Sequence, residues 1–244
     1  MKIENAMVLA AGLGTRLRPV TDRMPKPLVP VAGKPMIDYG LDALATAGVR
    51  RAVVNVHHFA DRMIAHLKDR REPEILISDE TGRLMDSGGG LARGLTLLGR
   101  DPVFVMNADL FWIGEGKGAP TNLERLAAGF DPARMDMAML CVRLADTTGH
   151  NGRNDFSMDG EGRLVRYREG EGTPVVYAGA LATMPALLDD APPDPFSLNI
   201  YFDRAIKAGR LHGIMLEGHW ITVGTPEAIE AAEAAIAALP DAAA

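Results

Sequence analysis

Leu9-Ala10-Ala11-Gly12-Leu13-Gly14-Thr15-Arg16-Leu17-Arg18-Pro19, taken up again at Pro25-Lys26-Pro27-Leu28, is the stretch from which the rest of the chain can be ordered. The apolar run over residues 6–10 predicts a buried strand, and it ends in a loop holding Gly12 and Gly14. Glycine has no Cβ, so backbone N–H groups in such a loop can close on an anion. Arg16, Arg18, Arg23 and Lys26 then place four cationic side chains within eleven residues. Arginine grips phosphate oxygens with a planar fork, and lysine supplies a compact charge. The prolines on either side of Lys26 restrict the backbone that carries it. Strand, glycine loop and clustered cations together predict a polyphosphate site. A glycine pair alone would fit a solvated basic loop equally well.

Outward from this stretch, short apolar runs alternate with helical spacing. Residues 36–47 have helical periodicity with Gly48 placed to end it, and residues 60–67, 91–98 and 122–128 are further helices. Residues 51–55, 74–78, 102–106 and 135–142 are strands. Strand and helix in turn predict an α/β fold, a mostly parallel sheet with helices on both faces. Such sheets bind ligands at the carboxyl ends of their strands. Asn107-Ala108-Asp109 directly follows one strand, so Asp109 is the candidate ligand for a hard cation such as Mg²⁺, which takes one or two carboxylates plus phosphate and water. Taken alone, it also fits, less well, a turn or cap aspartate. Asp86-Ser87-Gly88-Gly89-Gly90 precedes the helix over 91–98; three glycines there would leave room for a flat nucleobase beside free helix N–H groups, or form a flexible loop.

The last third is richer in β structure. A hairpin is expected from residues 156–158, a turn at 159–162 and residues 164–168, followed by a longer strand over 175–183. The proline- and aspartate-rich residues 189–195 predict a surface loop, and residues 198–208 an amphipathic helix closed by Gly209. Thr225-Pro226 starts an alanine-rich helix to about Leu239, with a frayed tail over 240–244. No repeat or linker interrupts the 244 residues, which predicts one domain.

Composition narrows the partners. A net charge of −6 argues against general nucleic-acid binding, which rests on neutralising many phosphates, but permits a small anionic ligand at a local basic cluster. The single cysteine, Cys141, lies in an apolar run and fits a reducing, cytoplasmic setting. No segment is apolar enough for long enough to predict a membrane span.

A dinucleotide-binding fold also opens with strand, glycine loop and helix. Its fingerprint wants a third glycine where this chain has Leu17, and an acid at the end of the second strand where it has Asn55, followed by His57 and His58. The opening stretch, Asp109 and the glycine triplet together instead resemble the sugar nucleotidyltransferases over nearly the whole chain. Further matches are Gly149-His150-Asn151-Gly152-Arg153-Asn154-Asp155-Phe156 and Gly218-His219-Trp220 followed by Val223-Gly224-Thr225.

The resemblance implies a Rossmann-like, glycosyltransferase-A-type sheet with a small β-rich substrate part. The nucleotide-binding part would span about 1–145, the sugar-phosphate part about 146–225 and the C-terminal helix 226–239. It implies a nucleoside triphosphate and a sugar 1-phosphate as substrates, UTP and N-acetylmuramate 1-phosphate in cell-wall sugar recycling, with GTP and mannose 1-phosphate as the alternative pair. Ala10, Ala11, Gly12, Gly14, Thr15, Arg16, Lys26, Asp86, Gly88 and Gly89 would hold the nucleotide. Asn107, Asp155, Tyr177 and Gly179 would meet the sugar phosphate, and Arg16, Lys26 and Asp109 would carry the chemistry with Mg²⁺ on Asp109. The sequence departs from the family at two places. Thr222 stands where a second metal-binding aspartate is usual, which leaves a catalytically weak nucleotide-binding regulator as a third reading. A basic residue common near Phe196-Ser197-Leu198 is also missing.

Overall fold

In the computed structural model, which describes residues 1–238, β1 (Asn5–Leu9) runs into a loop of short 3-10 turns, followed by the two-stranded ribbon β2 (Pro30–Val31) and β3 (Lys34–Pro35). Then come α1 (Met36–Thr46), β4 (Arg51–Val56), α2 (Ala60–Leu67), β5 (Glu74–Asp79), α3 (Asp86–Leu95), β6 (Val103–Asn107) and β7 (Leu110–Ile113). The second half holds α4 (Asn122–Gly129), β8 (Met137–Val142), β9 (Thr147–Thr148), β10 (Phe156–Met158), β11 (Leu164–Arg166) and β12 (Thr173–Thr183). It closes with α5 (Asn199–Lys207), β13 (Leu211–Met215), β14 (His219–Thr222) and α6 (Pro226–Ala238). The expectations for Leu239 and the tail fall outside the described residues.

The main sheet has nine strands. Its path runs β11-β10-β12-β6-β1-β4-β5, with β8 on the other edge of β12 and β13 beyond it. β6, β1, β4 and β5 are parallel, whereas β12 pairs antiparallel with β6, β8 and β10. The sheet is therefore mixed, with a parallel block that carries the loop after β1. Alternate side chains of the strands enter opposite cores. Ala6 and Val8 pack with α1, α2 and α4 through Ile37, Leu41, Met63 and Leu126. Met7 and Val53 pack on the other face with α3 and α5 through Leu91, Leu95, Tyr201 and Phe202. A third cluster joins Leu17, Phe111 and Ile221 to the inner face of α6. Registers matter more than layers for function: Leu9 lies opposite Asn107 in the β1–β6 pair, so the loop after β1 and the turn holding Asp109 leave the sheet side by side.

The glycine triplet is not a loop. Gly88, Gly89 and Gly90 sit inside the first turns of α3, all buried. Low helix propensity is overridden here by close packing. A Cβ on Gly88 would lie 2.2 Å from the Phe196 ring, and one on Gly94 would lie 2.3 Å from Met7 Sδ. The sequence reading also passes over β7 and β14, which pair antiparallel and form a separate three-stranded sheet with β9. Their apolar runs are short and lie beside turns, where periodicity carries little signal.

Candidate active site

A cavity of about 460 Å³ opens at the carboxyl ends of β1, β4 and β6, lined by Leu9 to Gly12, Lys26, Pro27, Asn55, Leu84, Asp86, Ser87 and Asn107 to Asp109. Its chemistry centres on one contact. Lys26 Nζ donates to Asp109 Oδ2 at 2.5 Å, across 83 residues of sequence. Lys26 is 8% exposed, and Asp109 is the counter-charge beside it. The loop that delivers it folds back at Gly14, whose φ of +63° favours glycine and whose absent Cβ would stand 2.9 Å from Lys26 Cβ. Thr21 Oγ1 pins the turn by donating to the Gly14 carbonyl at 2.8 Å.

Arg16 is exposed and has no hydrogen bond or ion pair to any other described residue. Its guanidinium lies over Gly224, with Nη1 3.7 Å from where a Cβ would be. The adjoining Val223 N–H donates to the Asp109 carbonyl at 3.3 Å. Lys26 and Asp109 thus touch, and Arg16 stands over the turn that bonds the Asp109 main chain. Thr222 stands there as well, its hydroxyl 3.4 Å from the Asp109 main-chain oxygen.

A second cavity of about 250 Å³ shares Leu9, Ser87 and Asn107 with the first and continues to Asp155, Arg166, Tyr177 and Asn199. Asp155 Oδ2 accepts from the Tyr177 N–H at 2.9 Å, which ties the loop before β10 to β12. Burial pushes the Tyr177 hydroxyl well above its ordinary range, reinforced by Cys141 and Asp155, so the phenol stays neutral and able to donate.

Of the residues expected from sequence, Ala10, Ala11, Gly12, Lys26, Asp86, Asn107 and Asp109 line the first cavity and Asn107, Asp155 and Tyr177 the second. Gly14, Thr15 and Arg16 line neither cavity, although Gly14 packs against Lys26. Gly88 and Gly89 do not face it; their N–H groups donate to the Phe196 carbonyl at 2.9 and 3.2 Å and are not free for a base. Gly179 lies behind the wall, at φ +72°, where a Cβ would come within 2.0 Å of Leu110 Cδ2. It leaves room for the strand that begins just after Asp109.

These observations place a buried lysine and a carboxylate in a strand-end cavity, with an unpaired arginine over the neighbouring Gly224. The model of the nucleotidyl transferase family matches residues 5–135, which include all three. The chain belongs to that family. An N-acetylmuramate alpha-1-phosphate uridylyltransferase of Caulobacter vibrioides is 46% identical over 95% of this chain and 96% of its own. A mannose-1-phosphate guanyltransferase of Emericella nidulans is 31% identical over 91% of this chain but only 61% of its own. Among solved structures, HddC from Yersinia pseudotuberculosis complexed with GMP-PN superposes with a TM-score of 0.74 at 22% identity, covering 95% of this chain and 99% of that one. That likeness bears on the fold.

This nucleotidyltransferase also holds site residues that sequence reasoning missed. Asn55 entered only as the wrong residue for another fold, and Glu80 not at all. Asn55 Oδ1 accepts from the Ala10 N–H at 2.6 Å, and Asn55 Nδ2 donates to Glu80 Oε1 at 2.8 Å. Glu80 Oε2 accepts from the Met85 N–H at 3.0 Å, and Glu80 is wholly buried. One chain of bonds, buried except at its Met85 end, therefore joins the starts of the loops after β1, β4 and β5. Gly90 accommodates it, because a Cβ there would lie 2.7 Å from Asn55 Nδ2. The strand-end rule that selected Asp109 applies equally to Asn55 and Glu80 and could have found both.

Proposed function

We propose that this nucleotidyltransferase transfers UMP from UTP to N-acetylmuramate 1-phosphate, releasing pyrophosphate, and so serves cell-wall sugar recycling. The observation that carries the chemistry is the 2.5 Å contact of Lys26 with Asp109 at the strand-end cavity. The choice of substrates rests on the Caulobacter relative, which matches nearly end to end.

In this reading a phosphate oxygen of the sugar 1-phosphate attacks the α-phosphorus of UTP in line. A new P–O bond forms as the bond from the α-phosphorus to the β-phosphate oxygen breaks, and the bonding pair leaves with pyrophosphate. The attacking phosphate is already ionised near neutral pH, so no general base is required. Ala10, Ala11, Gly12 and Asp86 wall the nucleotide, flanked by Gly14 and Thr15. Lys26 and Arg16 neutralise the departing pyrophosphate. Asn107 stands where the two cavities meet and orients the attacking phosphate, while Asp155 and Tyr177 hold the sugar. Residues 1–145 and 146–225 act as the nucleotide and sugar-phosphate parts of one domain, with the helix from 226 packed behind.

The site suits Mg²⁺. Asp109 Oδ1 has no hydrogen bond to the other described residues, and no group of three or more ligand-type side chains occurs among them, so phosphate and water would complete the shell, as this cation commonly accepts. Bound at Asp109, it would neutralise charge between the reacting phosphates. Thr222→Asp therefore changes turnover by less than about tenfold, read from the rate of pyrophosphate release. Emergence of activity only in that variant would instead support the nucleotide-binding regulator.

The direct test is pyrophosphate release across a panel of nucleotides and sugar 1-phosphates. UTP with N-acetylmuramate 1-phosphate should give the highest kcat/KM. A preference for GTP with mannose 1-phosphate would replace this assignment.

A further inference from the structure

The second cavity contains one cationic side chain among its lining residues, Arg166, and nothing above gives it a role. It comes from β11, far in sequence from every phosphate-binding residue, and the hairpin brings it in. Its guanidinium is held on three sides. Nε donates to Asp203 Oδ1 at 2.8 Å, Nη2 donates to Asn199 Oδ1 at 2.9 Å, and the group lies 5.1 Å from the Phe156 ring centroid. Nη1 has no hydrogen bond to any other described residue. An arginine held along one edge in the lining of a cavity, with Nη1 unpaired, can still grip a planar oxyanion there.

The rest of this wall is poorly suited to a second phosphate. Asp155 shares it, with one oxygen taken by the Tyr177 N–H and the other left to accept from a sugar hydroxyl or amide. A carboxylate on the sugar would be repelled at Asp155 and attracted at Arg166, which orients the ring. The substituent at C3 of a pyranose leaves the ring two carbons from the anomeric phosphate. A ring seated in the second cavity with its phosphate at the Asn107 junction can carry that substituent toward Arg166.

We propose that Arg166 binds a carboxylate carried by the acceptor sugar and so selects an acidic hexose 1-phosphate over its neutral counterpart. This deepens the function proposed above and rests on its choice of an acid sugar. Asp203 and Asn199 are positioning residues that aim the guanidinium.

The test compares kcat/KM for N-acetylmuramate 1-phosphate and N-acetylglucosamine 1-phosphate, which lacks the lactyl ether, with UTP saturating. It uses the full chain and the variants Arg166→Met and Arg166→Lys. The ratio of acid to neutral substrate should fall about tenfold to a hundredfold in Arg166→Met, the usual effect of removing a hydrogen bond to a charged group, and mostly through KM for the acid. Arg166→Lys should recover part of the ratio because the charge returns without the fork. Each ratio is taken within one preparation, so a smaller folded fraction cancels. A ratio unchanged in Arg166→Met, while the unsubstituted protein prefers the acid, overturns the role of Arg166 alone. An unsubstituted protein that turns over both sugars without preferring the acid overturns the choice of acceptor as well.

Discussion

Asp109→Asn should fold and lose about three orders of magnitude in turnover. The substitution preserves shape and removes one charge, and a single preorganised electrostatic partner of reacting groups is commonly worth about a hundredfold to a thousandfold. Stability should fall too, by about 1.5 kcal/mol, the low end for a hydrogen bond to a charged group because Asp109 is partly exposed. The second consequence separates structure from chemistry. Lys26→Met alone leaves a carboxylate without its counter-charge, and Asp109→Asn alone leaves a buried ammonium with a weaker partner. The double variant removes both charges and should melt closer to the unsubstituted protein than either single one, while remaining inactive. Thermal unfolding and pyrophosphate release on the four proteins decide this. Asp109→Asn with turnover within tenfold of the unsubstituted protein would remove the carboxylate from the reaction.

Glu80→Ala has the second large expected effect, and it lies mostly in stability and nucleotide affinity. The substitution strips the partner from the buried Asn55 amide and from the partly buried Met85 N–H. The buried Asn55 amide left without a partner costs about 1–3 kcal/mol and the partly buried Met85 N–H less, so the melting temperature should drop by several degrees. The residues that lose their anchor are Ala10 and the turn before Asp86, both in the cavity wall. KM for the nucleotide should therefore rise more than kcat falls. Gly90→Ala should give a weaker form of the same signature, since its Cβ would press on Asn55 Nδ2 and Glu80 Oε1. A melting temperature equal to that of the unsubstituted protein in Glu80→Ala would show that these bonds contribute nothing to the site.

Much of the fold is legible because its signals are local. The strand before Gly12 needs only a short apolar run, and α1 only helical spacing ended by Gly48, whose φ is +82° as a left-handed cap requires. The hairpin of β10 and β11 follows from a turn between two short strands. The errors share one cause. Three consecutive glycines read locally as a loop, yet they lie in a helix, where Phe196 approaches Gly88, and Asn55 and Glu80 approach Gly90, too closely for a side chain. The strands β7 and β14 have no periodic signal, and they form because each supplies the other's hydrogen bonds.

The site divides along the same line. Residue type and order sufficed to nominate Lys26 and Asp109, since a clustered cation after one strand and a carboxylate after another follow from chemistry that each segment carries alone. Only the folded chain shows that the two touch, that Arg16 stands free beside them, and that Gly179 supports the wall from behind. Arg166 was equally out of reach: a lone arginine in a hairpin resembles any surface arginine until β11 sets it beside α5 and the end of the second cavity. The physical reason is that a contact between residues distant along the chain depends on strand order and register, which are decided by how the whole set of apolar faces can be buried at once.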